Sequence, residues 1–184
     1  MSHYDVLIVD DEVGLLLLLH RILTERTPHF VRTTASAEEA VNILATHDCD
    51  LLIADLKMPY LDGLDLLEKA KQLDKGTEVI IMTAFGSTEA AVEAITRGAY
   101  DYITKPFRKE QIIVTVERAL QWRRLKAQVA ALEAAIFELP FEAALKAYQE
   151  EYMRRALRRS AGDLQQTIAA TGIDGETLSA YQTK

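Results

Sequence analysis

Five short apolar runs, each followed by a segment with helical spacing, constrain the fold of this chain more than any other feature. The runs are DVLIVDD, FVRTT, LLIAD, EVIIMT and YDYIT, and they lie between residues 5 and 104. Nearly continuous apolar runs are typical of strands buried on both faces, and intervening helices are typical of crossovers between parallel strands. The alternation therefore predicts an α/β fold, a doubly wound parallel sheet with helices on both sides.

The helical segments give more local predictions. In the first helix, the residues at helical spacing are Leu15, Leu18, Leu19, Ile22 and Leu23, and we expect them to form the buried face. Leu16 and Leu17 fall outside this face and are expected at the surface, either free or facing a partner. Ser36 and Glu39 have the S-x-x-E spacing of a capping box, which predicts a second helix through about Thr46.

The composition restricts the class of protein. The chain has 184 residues, of which 49% are apolar, and this is enough for one α/β domain with a small additional module. The net charge of −7 argues against a chain that coats nucleic acid through bulk charge. The single cysteine, Cys49, excludes an internal disulfide, and no apolar run approaches the ~20 residues of a membrane-spanning helix. We therefore expect a cytoplasmic protein without membrane contact.

Reactive side chains follow four of the five predicted strands at the point where each strand ends. These residues are Asp10 and Asp11, then Asp55, then Thr83, and finally Thr104 with Lys105 and Pro106. Because the carboxyl ends of parallel strands meet at one edge of the sheet, we expect these side chains to lie together. Pro106 suggests that a cis peptide bond places Lys105.

The chemistry of this set points to phosphoryl transfer. Three carboxylates at one edge repel each other unless a cation lies among them, and Mg²⁺ is a hard cation suited to such oxygen ligands. A carboxylate beside Mg²⁺ can attack a phosphoryl group, since this transfer depends mainly on positioning and charge neutralisation. Lys105 would bind one phosphoryl oxygen, and the Thr83 hydroxyl would donate to another.

Four stretches, LIVDDE, LLIADLKMPYLDG, IIMTAFG and YDYITKPF, make residues 4 to about 120 similar to the receiver domain of two-component response regulators. This resemblance implies a flavodoxin-like (βα)5 fold over residues 1–120. It also implies a role for each matching residue: Asp55 as the phosphoacceptor, Asp11 as a direct Mg²⁺ ligand, Asp10 as a ligand acting largely through water, the backbone carbonyl of Lys57 as a further ligand, Thr83 and Lys105 as phosphoryl-binding residues, and Tyr102 as the aromatic switch coupled to Thr83.

In such a receiver, the phosphoryl group comes from the phosphohistidine of a sensor histidine kinase. The domain catalyses only its own phosphorylation and slow dephosphorylation. Haloacid-dehalogenase-like phosphatases are a rival, because they also use a strand-end aspartate, Mg²⁺, Thr or Ser, and Lys. Their nucleophile is followed two residues later by a second aspartate, whereas Lys57 occupies that position here. The resemblance therefore favours a phosphorylation-activated response regulator over an independent enzyme.

Beyond the receiver, a heptad pattern continues along the last helix through residues 121–140. Its apolar positions are Trp122, Leu125, Val129, Leu132, Ile136 and Leu139. This spacing is typical of a short parallel coiled coil joining two receivers, and also of an amphipathic helix packed on its own chain. We favour the first interpretation, a homodimer, with Pro140 ending the helix or starting another.

Residues 141–184 predict three helices, the second with Asp163 at its N-cap and Gly172 at its C-cap. This layout resembles the Fis-type helix-turn-helix of NtrC-like regulators, attached without an ATPase domain as in regulators of the RegA/ActR kind. The resemblance implies a small all-α module of a DNA-binding transcriptional regulator. Its candidate DNA contacts are Arg154, Arg155, Arg158 and Thr177.

The same module departs from the helix-turn-helix pattern. Ile168 stands where the resemblance implies a small residue, and Gly175 and Glu176 stand where it implies basic residues that reach bases and phosphates. Residues 141–184 contain six Lys or Arg and six Asp or Glu, so the basic surface expected of a DNA-binding domain is limited to the arginines of Arg154–Arg159. The alternative to DNA binding is an eroded module that dimerises or binds protein.

Overall fold

The computed structural model describes residues 3–84, 88–138 and 140–182. Within these residues, five strands alternate with five helices: β1 (Asp5–Val9), α1 (Val13–Arg26), β2 (Phe30–Thr34), α2 (Ala37–Thr46), β3 (Leu51–Asp55), α3 (Gly63–Gln72), β4 (Glu78–Ala84), α4 (Thr88–Thr96), β5 (Asp101–Lys105) and α5 (Lys109–Glu138). After α5 come α6 (Phe141–Arg159), α7 (Leu164–Thr171) and α8 (Gly175–Gln182). The chain divides into two compact units, Met1–Gln128 and Val129–Lys184.

Some sequence predictions fall outside this description. Leu139 of the heptad pattern, the side chain of Ile136, and Phe85 with Gly86 of the IIMTAFG motif lie outside the described residues. Over the residues that the structure does describe, no helix is both long enough and apolar enough to cross a membrane.

The five strands form one parallel sheet in the order β2-β1-β3-β4-β5. The chain winds from β1 outward to β2 and then, from β3, in the other direction to β5, so the winding reverses between β1 and β3. The register pairs Asp55 with Met82, the residue before Thr83. The predicted flavodoxin-like α/β fold is confirmed, and its strand ends share one edge.

Each central strand is buried on both faces, which explains the nearly continuous apolar runs. In β1, Val6 and Ile8 belong to a core cluster shared with α1 and α5, whereas Leu7 and Val9 belong to one shared with α2, α3 and α4. Successive side chains of a strand point to opposite faces, so alternate residues serve the two clusters. The sheet is thus packed from both sides and fixes the positions of the strand ends.

The buried face of α1 differs from the predicted one. Leu16, Leu19 and Leu23 are buried, whereas Leu18 is 50% exposed. Spacings of three and four residues place the buried leucines on one side of the helix. The prediction was wrong because a run of consecutive leucines satisfies more than one helical phase, and packing on the sheet decides among them. Leu17 is exposed, as expected.

Helix α2 begins with half of the predicted capping box. The Ser36 side chain accepts a hydrogen bond from the Glu39 backbone N–H at 3.2 Å. The Glu39 carboxylate accepts from the Thr34 hydroxyl at 2.5 Å, and the Ser36 N–H donates to that same hydroxyl at 3.1 Å. The Thr34 hydroxyl therefore lies between the Glu39 carboxylate and the Ser36 N–H, which would bond directly to each other in a complete capping box. A complete capping box, formed by Asp62 and Asp65, opens α3 instead.

The part of α5 that belongs to the first unit is fixed to the amino ends of two strands. The Arg123 guanidinium lies 2.9 Å from the Asp50 carboxylate, and the Lys126 ammonium lies 2.7 Å from the Glu78 carboxylate. The Glu78 side chain is only 3% exposed. We call these four residues the α5 anchor.

The second unit is held together by contacts among α6, α7 and α8. Leu157, Thr167 and Leu178 are buried among the residues of this unit whose burial is described. Asp163 caps α7 by accepting from the Gln166 backbone N–H at 3.1 Å. Gly172 ends α7 with a φ of 71°, in the left-handed region that favours glycine. Both predicted caps are confirmed.

Candidate active site

Three of the predicted strand-end residues meet at the carboxyl edge of the sheet. Asp10 follows β1, Asp55 ends β3 and Lys105 ends β5. The Lys105 ammonium lies 2.6 Å from Asp10 Oδ2 and 2.5 Å from Asp55 Oδ1. Both aspartates are buried, and the Lys105–Pro106 peptide bond is cis, as expected. One cation therefore bridges two buried acids from adjacent strands.

The second oxygen of each carboxylate is held by the backbone. Asp10 Oδ1 accepts a hydrogen bond from the Glu12 N–H at 2.9 Å, and Asp55 Oδ2 accepts from the Lys57 N–H at 3.2 Å. In both cases the donor lies two residues further along, which is the geometry of an Asx turn. The loop after each strand thus orients the carboxylate at its end.

Burial raises the pKa of the Asp55 carboxyl, and the hydrogen bond and charge of Lys105 offset this only in part. The negative charge of Asp10 raises the same pKa further. Burial alone would lower the pKa of the Lys105 ammonium, but its hydrogen bonds to Asp10 and Asp55, together with their charges, raise it. The charged form of Asp55 is therefore held at a free-energy cost.

This cost predicts a pH dependence of stability. Between the ~3.9 of an unfolded aspartate and the raised pKa of Asp55, the folded chain binds more protons than the unfolded chain, so stability falls as pH rises. Asp55→Asn removes the charge. We expect the variant to be more stable than the natural chain near neutral pH and to lose this advantage below about pH 4. Urea denaturation of both proteins across this range, without divalent cations, measures the difference. A constant difference at all pH values would contradict the direction of the shift.

The other predicted site residues differ in exposure. Asp11 is exposed and lines an open cleft of about 420 Å³ together with Tyr60. Thr83 is buried, one position beyond the residue that pairs with Asp55. The Tyr102 side chain is 40% exposed. The carboxyl edge therefore combines a buried centre with an open side at Asp11.

The donors at this edge suit Mg²⁺. Among the residues described, no three His, Cys, Asp or Glu side chains are already grouped as metal ligands. Lys105 instead contacts both Asp10 and Asp55, and Asp11 is exposed. Two carboxylates nevertheless share the single ammonium of Lys105, and Asp11 follows Asp10 in the chain, so a hard dication would neutralise the excess negative charge. The residues fit Mg²⁺ in donor type and in charge.

Two residues were not predicted from the sequence: Gly63, which lies against Asp55, and Tyr60, which lines the open cleft with Asp11. Gly63 begins α3, and a Cβ added there would lie 2.4 Å from the Asp55 backbone oxygen. The Asp62-Gly63 pair, a common turn sequence, was the available signal. Tyr60 is fully exposed and has a φ of 71°, a backbone conformation that is costly for a non-glycine residue and concentrates at functional sites. Nothing in the sequence marks that φ.

In the second unit, the candidate arginines are exposed, and two of them are ion-paired. Arg154 lies 3.5 Å from Glu150, and Arg155 lies 2.8 Å from Glu151. These are i, i+4 pairs on an exposed helix surface, which contribute little to stability and separate readily. Arg158 makes no ion pair with any described residue. All three side chains thus remain accessible to an anionic partner.

The start of α8 explains two departures from the helix-turn-helix pattern. A Cβ added to Gly175 would lie 3.3 Å from Ile168 Cδ1. The large residue in α7 and the glycine in α8 therefore form one packing arrangement, in which a basic side chain at 175 would crowd its neighbour. Thr177 bonds to the Asp174 carboxylate through both its N–H and its hydroxyl, each at 2.8 Å. The Thr177 hydroxyl is thus already hydrogen-bonded to Asp174 at the start of α8.

Comparison with known proteins identifies the family of the first unit. Residues 6–117 match the family described as the response regulator receiver domain. The DNA-binding transcriptional regulator NtrC of Azospirillum brasilense is 35% identical over 182 residues, covering 98% of this chain and 37% of the relative. The response regulator protein PilR of Pseudomonas aeruginosa is 32% identical over 182 residues, covering 99% of this chain and 38% of the relative. This chain spans less than two fifths of the length of these relatives.

Solved structures show the same fold. A CheY-like response regulator receiver domain protein from Methanospirillum hungatei matches with a TM-score of 0.64 and 30% identity, over 68% of this chain and 99% of that one. Because nearly all of that protein is matched, the similarity concerns a whole receiver fold.

Proposed function

The chain belongs to the response regulator family through its receiver domain, and on this basis we propose that a sensor histidine kinase phosphorylates it on Asp55. One observation carries the proposal. Asp55 is a buried carboxylate, oriented by the backbone and ion-paired with Lys105 at 2.5 Å, at the open edge of the sheet. We assign residues 1–120 to the receiver, 121–140 to a helical linker and 141–184 to an output module.

In the proposed reaction, a carboxylate oxygen of Asp55 forms a bond to the phosphorus of the kinase phosphohistidine. The P–N bond breaks, and the imidazole leaves with its electron pair. Lys105 neutralises a phosphoryl oxygen, because its ammonium already contacts Asp55 Oδ1. Thr83 donates its hydroxyl to a second phosphoryl oxygen. The only catalysis proposed for the chain is its own phosphorylation and slow dephosphorylation.

Mg²⁺ is the proposed cofactor. Asp11 would bind it directly, Asp10 largely through water, and Asp55 and the backbone carbonyl of Lys57 would complete the protein ligands. When bound, Mg²⁺ supplies positive charge to the carboxylates and the incoming phosphoryl group. The raised pKa of Asp55 is consistent with this assignment, because burial and the charge of Asp10 together outweigh the compensation by Lys105, and a cation would favour the charged carboxylate.

Thr83 and Tyr102 are proposed to transmit phosphorylation to the face of the receiver around α4. As Thr83 moves toward the phosphoryl group, the Tyr102 ring, now 40% exposed, turns inward. On α4, Val92 and Ile95 are 61% and 43% exposed. This apolar surface is available to a partner that distinguishes the two positions of Tyr102.

A homodimer is proposed to connect the receiver to its output. The heptad side chains with described exposure are all close to half exposed or more: Trp122, Leu125, Val129 and Leu132. Pairing of two α5 helices through this stripe would cover them. A change in dimer geometry on phosphorylation would then present two output modules to a two-fold symmetric DNA site.

DNA binding by the output module is supported by its exposed arginines and by the similarity of 98% of this chain to NtrC, a DNA-binding transcriptional regulator. The candidate contacts are Arg154, Arg155, Arg158 and Thr177. The second candidate function is a phospho-switch whose module dimerises or binds protein. It is favoured by α8, where Gly175 packs near Ile168 and where GETLSAYQ contains no lysine or arginine.

Replacing Arg154 and Arg158 together by glutamine is expected to weaken DNA binding. Each lost phosphate contact reduces the slope of log K against log salt by about 0.9, so the slope should fall by up to about 2. Fluorescence anisotropy of a labelled duplex pool over a salt series measures both quantities. Arg97→Gln is the matched control, because Arg97 is also exposed and paired at i, i+4. An unchanged slope would show that Arg154 and Arg158 do not contact DNA phosphates.

The same assay with and without acetyl phosphate and Mg²⁺ decides between the two output functions. Salt-sensitive binding that tightens on phosphorylation supports a transcriptional regulator. If the chain does not bind DNA at low salt, although mass spectrometry shows that Asp55 is phosphorylated in the same sample, the result supports the protein-binding module.

A further inference from the structure

The four arginines of α6 form two pairs with different surroundings. Arg155 and Arg159 line a cleft between α6 and α7, whereas Arg154 and Arg158 are not part of its lining. Residues four apart lie on the same side of a helix, so one pair faces the cleft and the other faces a neighbouring side. The four arginines therefore belong to two different surfaces of α6, one at the cleft and one beside it.

The cleft has the dimensions of a small-molecule site. Its volume is about 420 Å³. Ligand pockets typically measure about 300–1,000 Å³, which is more than a single inorganic anion needs. Among the described residues, no aspartate or glutamate lines it. Arg155 is paired with Glu151, which is not part of the lining, so Arg159 supplies the positive charge that has no ion-pair partner among the described residues.

The serine and threonine hydroxyl groups in the lining are already hydrogen-bonded within the protein. Ser160 Oγ and Thr167 Oγ1 contact each other, and they also lie 3.0 Å from the Ala156 carbonyl oxygen and 2.6 Å from the Asp163 carbonyl oxygen, respectively. Thr171 Oγ1 donates to the Thr167 carbonyl oxygen at 2.7 Å. Because these hydrogens are engaged, the hydroxyls do not decide which ligand is recognised.

The donors that remain suit an oxyanion. The Arg155 Nε–H is bonded to Glu151 at 2.8 Å, which leaves the outer N–H groups of its guanidinium. Arg159 forms no ion pair among the described residues. Gln166 and Tyr152, whose side chains carry an amide and a hydroxyl, also line the cleft. Guanidinium groups bind carboxylate and phosphate oxygens through paired N–H donors.

The remaining surface of the cleft suits a flat, apolar body. Tyr152 stacks on Tyr148 with ring centroids 6.4 Å apart, so its ring is supported from one side. Ala156 and Ala170 contribute small side chains to the lining, which a ring can approach closely. We propose that the cleft between α6 and α7 binds a small organic oxyanion, a phosphate or carboxylate group carried on a planar ring. This site requires neither phosphorylation of Asp55 nor binding of DNA.

The test is a titration of the full chain with phenyl phosphate, followed by calorimetry and by the arginine Nε–Hε resonances in ¹H–¹⁵N spectra. Saturable binding is expected, with shifts at Arg155 and Arg159. Arg159→Gln should weaken it by about tenfold or more, since a charged hydrogen bond is lost. Arg158→Gln is the matched control, because this neighbour lies outside the cleft, and it should change affinity by less than about twofold. Phenol and inorganic phosphate should each bind more weakly than phenyl phosphate.

Several results would overturn the proposal. Equal losses in the Arg158 and Arg159 variants would show unspecific attraction to the basic helix. If phenol binds as tightly as phenyl phosphate, the charge does not contribute to recognition. If inorganic phosphate binds as tightly, the ring does not contribute. If a DNA duplex displaces phenyl phosphate, and Arg159→Gln abolishes binding of both the duplex and phenyl phosphate, the cleft is a contact for the DNA backbone phosphate rather than a small-molecule site. Mass labelling of Asp55 in the same samples tests the receiver separately, so failure of one proposal is distinguishable from failure of the other.

Discussion

Asp55→Asn is expected to gain no mass from acetyl phosphate and Mg²⁺, whereas the natural chain gains one phosphoryl group. The amide keeps the size of the side chain but lacks the carboxylate oxygen that attacks phosphorus. Asp10 remains buried beside Lys105, at 2.6 Å from its ammonium, and is not expected to substitute. Intact-mass spectrometry of both proteins measures the effect, which we expect to be essentially complete.

Asp48→Asn is the matched control for this result, because Asp48 is an exposed aspartate of the same unit, away from the carboxyl edge. It should label like the natural chain. Full labelling of Asp55→Asn would show that Asp55 is not the acceptor, and equal loss in Asp48→Asn would show that the loss is not specific to the site.

Gly63→Ala is expected to destabilise the fold and to reduce labelling of Asp55 at the same time. The added Cβ would lie 2.4 Å from the Asp55 carbonyl oxygen and 3.1 Å from Leu56 Cα, and both are backbone atoms that cannot rotate away. Overpacking of this kind costs about 1–3 kcal/mol, and occasionally more. The start of α3 or the end of β3 must shift, and either movement displaces the nucleophile. Urea denaturation and intact-mass labelling measure the two effects.

Gly14→Ala serves as the control for the glycine substitution. Gly14 also lies in the first turn of a helix, but an added Cβ there meets no heavy atom within 4 Å. We expect a stability that is unchanged or raised by up to about 1 kcal/mol, because alanine favours helix. If Gly63→Ala were as stable and as readily labelled as Gly14→Ala, the close approach of α3 to Asp55 would have no role in the site.

The sequence predicted the fold and the strand-end residues because both depend on simple patterns. Buried parallel strands give uninterrupted apolar runs, and the residues that follow such strands share one edge of the sheet. Asp10, Asp55 and Lys105 were expected together on this ground, and the structure brings them into contact. Their roles in phosphoryl transfer remain proposals.

Features that depend on three-dimensional packing were missed. The leucine run of α1 did not reveal whether Leu16 or Leu18 faces the core, since only the sheet beneath decides this. The proximity of Ile168 and Gly175 links residues that had seemed two separate departures from a pattern. Ion pairs between residues far apart in sequence, such as that of Glu78 and Lys126, have no periodic signal.

The α5 anchor determines where the receiver can be cut as an isolated fragment. The family match ends at residue 117, yet Arg123 and Lys126 are still bonded to the amino ends of the strands. A fragment ending at residue 120 would leave the carboxylates of Asp50 and Glu78, 18% and 3% exposed, without these cations. Removing one partner from such a pair leaves a charge in a poorly hydrated place. A receiver fragment that keeps both ion pairs therefore has to extend through Lys126, beyond the end of the family match and beyond the boundary proposed at residue 120.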